Sequence, residues 1–361
     1  MRAIWPISMR ISLGIIAIYV ATQAFVAAEQ FFLPIGFGIL LAGFYLPFVR
    51  WLERKKIPTG VALLFCVLLT VAGLGVTGYF FSTQSVNISK DLPAIQSNLM
   101  QRWEIWQQFF LEQFGVNQSE QIEFLNQKLS LFLEHATKYV GSTLLAATHI
   151  LSVVVLVIIY ALLLIQYRRL VYAVIVQVIT RNFGLDIHEA IQQIVQMIQQ
   201  YVIGIGIIIL IMSILCSFGL WIVGAPHALF LGTLAATLNI IPYVGIISVG
   251  LLSAAFTFIT NNSFVDAGLV LLIFWVIHMF ESNFLTPKIV GRKVQLNALA
   301  SILAIVIGGH LWGIVGMILA IPYMAIFKIV CQFIPSLHFI AVLLGHGELH
   351  KNTLINDEEL K

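Results

Sequence analysis

Apolar residues run along this chain in long blocks separated by short polar punctuation. The first block is Ile11–Ala28, and Phe31–Val49 follows so closely that the two are expected to form a tight hairpin, with Pro34 and Pro47 near its ends. Ile57–Phe81 is a third block, long enough to cross a bilayer, which takes about 20 apolar residues. Residues 82–140 then change character, mixing acidic residues with Gln and Asn. Asn117 and Glu120 have the spacing of an N-cap and its third helical residue. Ile122, Leu125, Leu129, Phe132 and Ala136 repeat as a helix-packing seam, and Trp103, Trp106 and Phe110 form a stripe suited to a membrane interface. The expectation is a helical insert outside the membrane. Gly141–Ile165 returns across it, and a helix opened by Asp186 and Glu189 follows, with Ile187, Ile191, Ile194, Val195 and Ile198 opposite a Gln-rich face. That pattern predicts a helix lying on the inner surface or against the bundle. Tyr201–Val223 is the next full span.

Two later blocks do not fit the simple count. His227–Thr260 as one straight helix would reach about 51 Å, against a hydrocarbon layer of about 30 Å. It is interrupted by Asn239-Ile240-Ile241-Pro242-Tyr243-Val244-Gly245, where Pro242 removes a donor and Gly245 frees the backbone. This break lies inside a stretch, Ala190 to Val265, without a single Asp, Glu, Lys or Arg. Non-helical backbone at membrane depth survives only where protein buries it or a wet cavity meets it. Ala298–Phe327 is also too long and carries Gly308-Gly309, Gly313, Gly316 and Pro322.

Loop charge bears on both blocks. Arg50, Arg54, Lys55, Lys56, Arg168 and Arg169 mark cytoplasmic ends under the positive-inside rule. Lys288, Arg292 and Lys293 fall on that same side only if both long blocks are re-entrant hairpins. The expected fold is therefore an all-α polytopic membrane protein with about six full spans plus two re-entrant helical hairpins, eight apolar membrane segments in all. Both termini are cytoplasmic on this reading. The divisions are 1–81 for spans one to three, 82–140 for the insert, 141–200 for span four and the surface helix, 201–332 for a motif-rich transport region, and 333–361 for a cytoplasmic tail. A span followed by a hairpin, once from each side and each hairpin with Ile-Pro-Tyr (241–243 and 321–323), suggests an inverted repeat of the transporter kind.

Glu281, near the end of the span Ala267–Phe284, is the sharpest chemical candidate. A carboxylate at the centre of a membrane helix costs about 2.5–3.5 kcal/mol on insertion scales, so such a residue marks a functional site by default. The competing reading places it at the interface beside Lys288. Asn239 offers an amide beside the freed backbone of the first break, either for a solute or as a cap. Pro287 and Gly291 read as turn residues or a hinge.

Composition agrees with a membrane protein: 60% of residues are hydrophobic and 10% charged, where soluble proteins average about 25% charged. Net charge is +3, with nothing to suggest nucleic acid. The three cysteines are far apart in apolar blocks, and the histidines show no metal spacing. His-Glu-x-x-His, Gly-x-Ser-x-Gly and a Walker A loop are all missing from the sequence, which argues against an embedded hydrolase or an ATP-driven pump, and no cofactor is expected.

Asn239-x-x-Pro242-Tyr243-x-Gly245, Glu281-x-Asn283-x-x-x-Pro287-Lys288-x-x-Gly291, Gly308-Gly309-x-Leu311-Trp312-Gly313-x-x-Gly316 and Ile321-Pro322 together resemble the AI-2E (autoinducer-2 exporter) family, known also from the PerM-type permeases. The resemblance covers nearly the whole chain and is most specific over 224–330. It departs at Ile246 and at Leu296-Asn297-Ala298-Leu299, where prolines are usual. It implies a bacterial inner-membrane transporter, homo-oligomeric and suspected pentameric, surrounded by membrane lipid. Its implied cargo is a small polar solute such as autoinducer-2, or Na⁺ and H⁺ in exchange. The site residues it points to are Asn239, Pro242, Tyr243, Gly245, Glu281, Asn283, Pro287, Gly308, Gly309 and Pro322, with the two hairpins flanking a translocation site. A membrane scaffold that uses the 82–140 insert for partners is the alternative from another class.

Overall fold

Helices account for nearly all of the computed structural model, which describes residues 7–114, 151–183, 187–241, 244–291 and 294–345. The expected Asn117 cap, the Ile122–Ala136 seam, the start of the fourth span, and Pro242 and Tyr243 lie outside the described residues, as does the chain beyond 345. In order the helices are α1 (Ile7–Ala27), α2 (Glu29–Arg54), α3 (Thr59–Phe114), α4 (Leu151–Gln166), α5 (Arg168–Phe183), α6 (His188–Val223), α7 (Ala228–Leu238), α8 (Val244–Asn261), α9 (Phe264–Phe280), α10 (Ala298–Phe333) and α11 (His338–Leu344). No strand occurs among the described residues.

Five helices are long and apolar enough to cross a membrane, or up to six if the bent pair α4–α5 counts as one span. A multi-pass, all-helical membrane protein accounts for this. Two expected boundaries move. α3 continues as helix past Phe81 to Phe114 without a break, its apolar span candidate covering Thr59–Ile88. The amphipathic stretch 188–200 is the first part of α6, a single helix of 36 residues, rather than a separate surface helix. Its buried positions there are Ala190, Met197 and Ile198, while Gln192, Gln196 and Gln200 are exposed, so the predicted polarity holds although the predicted break does not.

The chain divides into two compact units, Met1–Val67 with Leu156–Ile208 and Ser282–Lys361, and Leu68–Val155 with Ile209–Glu281. In the first unit, Tyr45, Val49, Ala62, Cys66, Ala161 and Ile165 form an apolar core between α2, α3 and α4. The end of α2 and the starts of α3 and α5 are clamped by one carboxylate. Glu53 accepts from Arg168 Nη2 at 2.7 and 2.6 Å and from the Thr59 hydroxyl at 2.7 Å. The predicted basic ends of the second and fourth spans thus lie together, as loop charge required. Both charged side chains are about 25% exposed, so solvent screens the pair. Arg168→Ala is expected to lower stability by about 1 kcal/mol. A double-mutant cycle with Glu53→Gln showing zero coupling would refute the clamp.

α10 is folded back on itself. Trp312 (φ −138°, ψ 29°) and Gly313 (φ 58°, ψ −141°) leave helical geometry, and only glycine takes such a positive φ freely. A Cβ placed on Gly308 would stand 2.5 Å from the Gly316 carbonyl oxygen and 2.8 Å from Ala320 Cβ. In a straight helix residues 308 and 320 would be about 18 Å apart. The two legs therefore touch through glycine, and their bases meet where Lys328 Nζ donates to Gln295 O at 2.8 Å. The tip packs on the α1–α2 corner: Trp312 stacks on Phe25 with centroids 4.7 Å apart and donates to Phe25 O, and Tyr323 donates to Gly36 O at 2.9 Å.

Asn297 fastens the base of this hairpin to α11. Its Oδ1 caps α10 by accepting from Ala300 N at 2.8 Å, its Nδ2 donates to Leu343 O and Gly345 O, and its backbone N donates to Leu344 O. Asn297→Ala removes the cap and both side-chain donors, an expected loss of about 2 kcal/mol. The measurement is the protease sensitivity of the chain just before α11, which should rise in the variant; unchanged cleavage would contradict this role.

Candidate functional site

The second unit holds the first break and the carboxylate. α7 ends at Leu238, Asn239 N donates to Ala235 O, and Ile241 N donates to Leu238 O to close a turn. α8 starts at Val244, and Gly245 approaches the backbone of Leu238 and Asn239 so closely that any Cβ would collide with it. Glycine is therefore demanded here by close approach. The break predicted from Pro242 is present at that place.

α8 reverses into α9 through Asn262 (φ 55°), with Ser263 capping α9 by accepting from Asp266 N at 3.1 Å. The antiparallel register is fixed at two levels. The Phe258 and Phe264 rings lie 4.5 Å apart, and Gly250 backs onto Phe274, whose Cγ would be 3.3 Å from a Cβ there. Carrying the Gly250–Phe274 register on by six residues, about 9 Å along each helix, brings Phe280 level with Val244 at the start of α8, and Glu281 is the next residue. The buried stripe Val270–Phe274 on α9 leads to Glu281, which is itself buried. The carboxylate thus lies near the level of the helix break.

His278, one turn earlier, places Nδ1 3.5 Å from Glu281 Oε2. From Glu281 the helix widens: Glu281–Leu285 and Pro287–Gly291 are π-helical. Pro287 has no N–H for the Asn283 carbonyl, and an i→i+5 pattern keeps the chain helical past it. Pro287 and Gly291 are therefore helical, and the expected turn is absent at this point. Widened turns inside α-helices often mark functional positions. Asn283 and Pro287 are exposed, and both belong to the first unit.

Gly308, Gly309 and Pro322 are in the first unit as well. Gly308 lets the α10 legs meet, Gly309 lies against Met317, and Pro322 is fully buried in the second leg. Beside them is a cavity of about 660 Å³ walled by Phe25, Phe32, Ile39, Leu311 and Trp312 among others, almost entirely apolar. The hydroxyl that reaches it, Tyr323, already donates to Gly36. A polar solute finds no partner in that wall.

Three polar residues escaped the sequence reading. Ser253 and Thr257 are fully buried on α8 and donate back to Val249 O and Ser253 O at 2.7 and 2.8 Å. Their i, i+4 spacing in an apolar helix was the available signal. Lys328, 5% exposed, is the only Asp, Glu, Lys or Arg between Lys293 and Glu348, and that isolation could have flagged it. No cluster of His, Cys, Asp and Glu able to hold a metal ion occurs among the described residues.

Comparison with known proteins gives this geometry a family. The family described as AI-2E family transporter matches residues 13–336. YueF of Bacillus subtilis (strain 168) is 27% identical over 347 residues, covering 89% of this chain and 90% of that protein. YrrI of the same organism is 34% identical over 147 residues, about two fifths of each chain. The AI-2 transport protein TqsA of Escherichia coli (strain K12) is 23% identical over 337 residues, covering 93% of this chain and 94% of that protein. With the match running from the first helix through the folded-back α10, the chain belongs to the AI-2E family of transporters.

Proposed function

We propose that this chain is a secondary transporter of the bacterial inner membrane that exports a small polar molecule such as autoinducer-2, with Glu281 as the carboxylate that couples flux to an ion gradient. The observation that carries the reading is the buried Glu281, paired with His278 and level with the Asn239–Gly245 break. Irregular backbone and a carboxylate at one depth supply what an apolar bundle lacks, acceptors and a charge for a solute or proton. Family membership and the full-length similarity to TqsA support the choice of cargo. Ser253 and Thr257, on the buried face of the adjoining α8, add hydroxyls that can exchange their intrahelical bonds for a ligand.

Cation/proton antiport is the second reading, favoured by the His278–Glu281 pair, which can pass a proton without any organic cargo. Inside-out vesicles separate the two. Under an imposed H⁺ gradient the exporter accumulates autoinducer-2, whereas an antiporter moves Na⁺ with no organic solute present. Vesicles that move Na⁺ alone would replace the first reading by the second. The same reading places both termini in the cytoplasm and assembles the chain as a homo-oligomer, the pentamer of the family resemblance.

A further inference from the structure

α5 is the helix with no evident place in the bundle. It follows α4 after a bend of 69° at Tyr167. The charges around the bend suit the membrane surface better than its interior. Arg168 is bonded to Glu53, which ends α2, a span of 26 residues long enough to bring its last turn out of the hydrocarbon, next to Arg50, Arg54, Lys55 and Lys56. Continuing α5 inward from there as the second half of a broken span would carry Arg169 into the hydrocarbon, at a cost of about 2.5–3.5 kcal/mol. A helix leaving the surface end of a span at 69° travels mainly along the surface.

Its side chains fit that course. Leu170, Val174 and Val178 form one exposed face, flanked by Val171 and Ile175, all between 38 and 61% exposed. Arg169 and Thr180 lie on the polar side, Gln177 stands at its border beside Leu170, and no acidic residue occurs from 168 to 183. The remaining side holds the half-buried Val176 and Ile179 and Tyr172, which bonds the His188 ring at the start of α6. One side is thus turned to protein, one to water, and one is greasy and uncovered.

We propose that α5 is an in-plane membrane helix whose partner is the phospholipid surface at the basic ends of α2 and α4. Leu170, Val174 and Val178 enter the acyl chains by about 5–10 Å. Arg169 and Arg181 reach lipid phosphates, Arg181 by extending its long side chain from the last turn. Through Tyr172 the helix fixes the surface end of α6. This is the role that the sequence pattern assigned to 186–200, transferred to the preceding helix.

Nitroxide scanning of residues 169–181 tests it, using full-length protein with Cys66, Cys216 and Cys331 replaced by Ala, in phosphatidylglycerol-containing nanodiscs. Oxygen collision should peak at 170, 174 and 178, and a water-soluble nickel reagent at 169, 173 and 180, with their ratio alternating several-fold at helical period. Strong nickel access at every position would make α5 a solvated helix and overturn the proposal. Exclusion of both reagents at 170, 174 and 178 would mean a protein partner, a second copy included, and would overturn it equally. A photoreactive residue at Val174, in the protein with its native cysteines, provides a check independent of the cysteine replacements. Lipid adducts should form at Val174 and not at Thr180, and protein adducts at Val174 would contradict the proposal.

Discussion

A Glu281→Gln variant is expected to transport roughly ten- to a hundredfold more slowly than the parent, with its dependence on an imposed pH gradient lost. The range follows from the about 1.5–3 kcal/mol that a hydrogen bond to a charged group contributes, at a factor of ten per 1.4 kcal/mol. Glutamine keeps the shape and the acceptor beside His278 but removes the exchangeable proton and the charge. Folding should tolerate the change, because a neutral amide is easier to bury than a carboxylate. Initial rates in proteoliposomes at several internal pH values give the result. A variant with the parent's rate and the parent's pH response would leave Glu281 a structural residue and end its coupling role. His278→Gln is the companion measurement. It removes the neighbouring base while leaving the carboxylate, so it should alter the pH response more than the maximal rate.

Gly308→Val is expected to have the largest effect on stability. The Cβ position of Gly308 is 2.5 Å from the Gly316 carbonyl oxygen, and backbone cannot move aside as a flexible side chain can. Forcing atoms into such a contact costs typically 1–3 kcal/mol, and a branched side chain between two backbones belongs at the upper end. The legs of α10 should separate, loosening Trp312 from Phe25 and Tyr323 from Gly36. Gly75→Val is the control, since nothing lies within 4 Å of its Cβ position. Thermal melts of the purified protein, with Trp312 emission as a local probe, compare the two. Equal melting temperatures for both variants would show that the legs are not in glycine contact.

The two interrupted regions were legible because their signals are local. Pro242 and Gly245 announce a break in an uncharged stretch, and Ala298–Phe327 carries Gly308-Gly309, Gly313, Gly316 and Pro322. The point of reversal was not legible. Gly308-Gly309 draws attention, yet the turn is made at Trp312-Gly313, because Gly308 is spent on leg-to-leg contact. Pro287 misled in the other direction. It normally ends a helix, but a π-helical pattern carries the chain past it, and nothing in the local sequence distinguishes the two outcomes. Glu281 was found by its rarity in an apolar block. Its depth relative to the break became visible only through the register of α8 on α9. Contacts between distant positions were silent in the sequence: Glu53 with Arg168, Lys328 with Gln295, and Asn297 with the end of α11. The 186–200 helix showed the right faces and the wrong length, since a Gln-rich face does not reveal whether a helix stops at the membrane or runs into it.

The most direct measurement is flux of autoinducer-2 through the purified protein in proteoliposomes with a pH gradient, alongside Glu281→Gln and protein-free liposomes. The account predicts gradient-dependent movement by the parent protein, strongly reduced in the variant and missing from empty liposomes. Identical signals from all three preparations would contradict it.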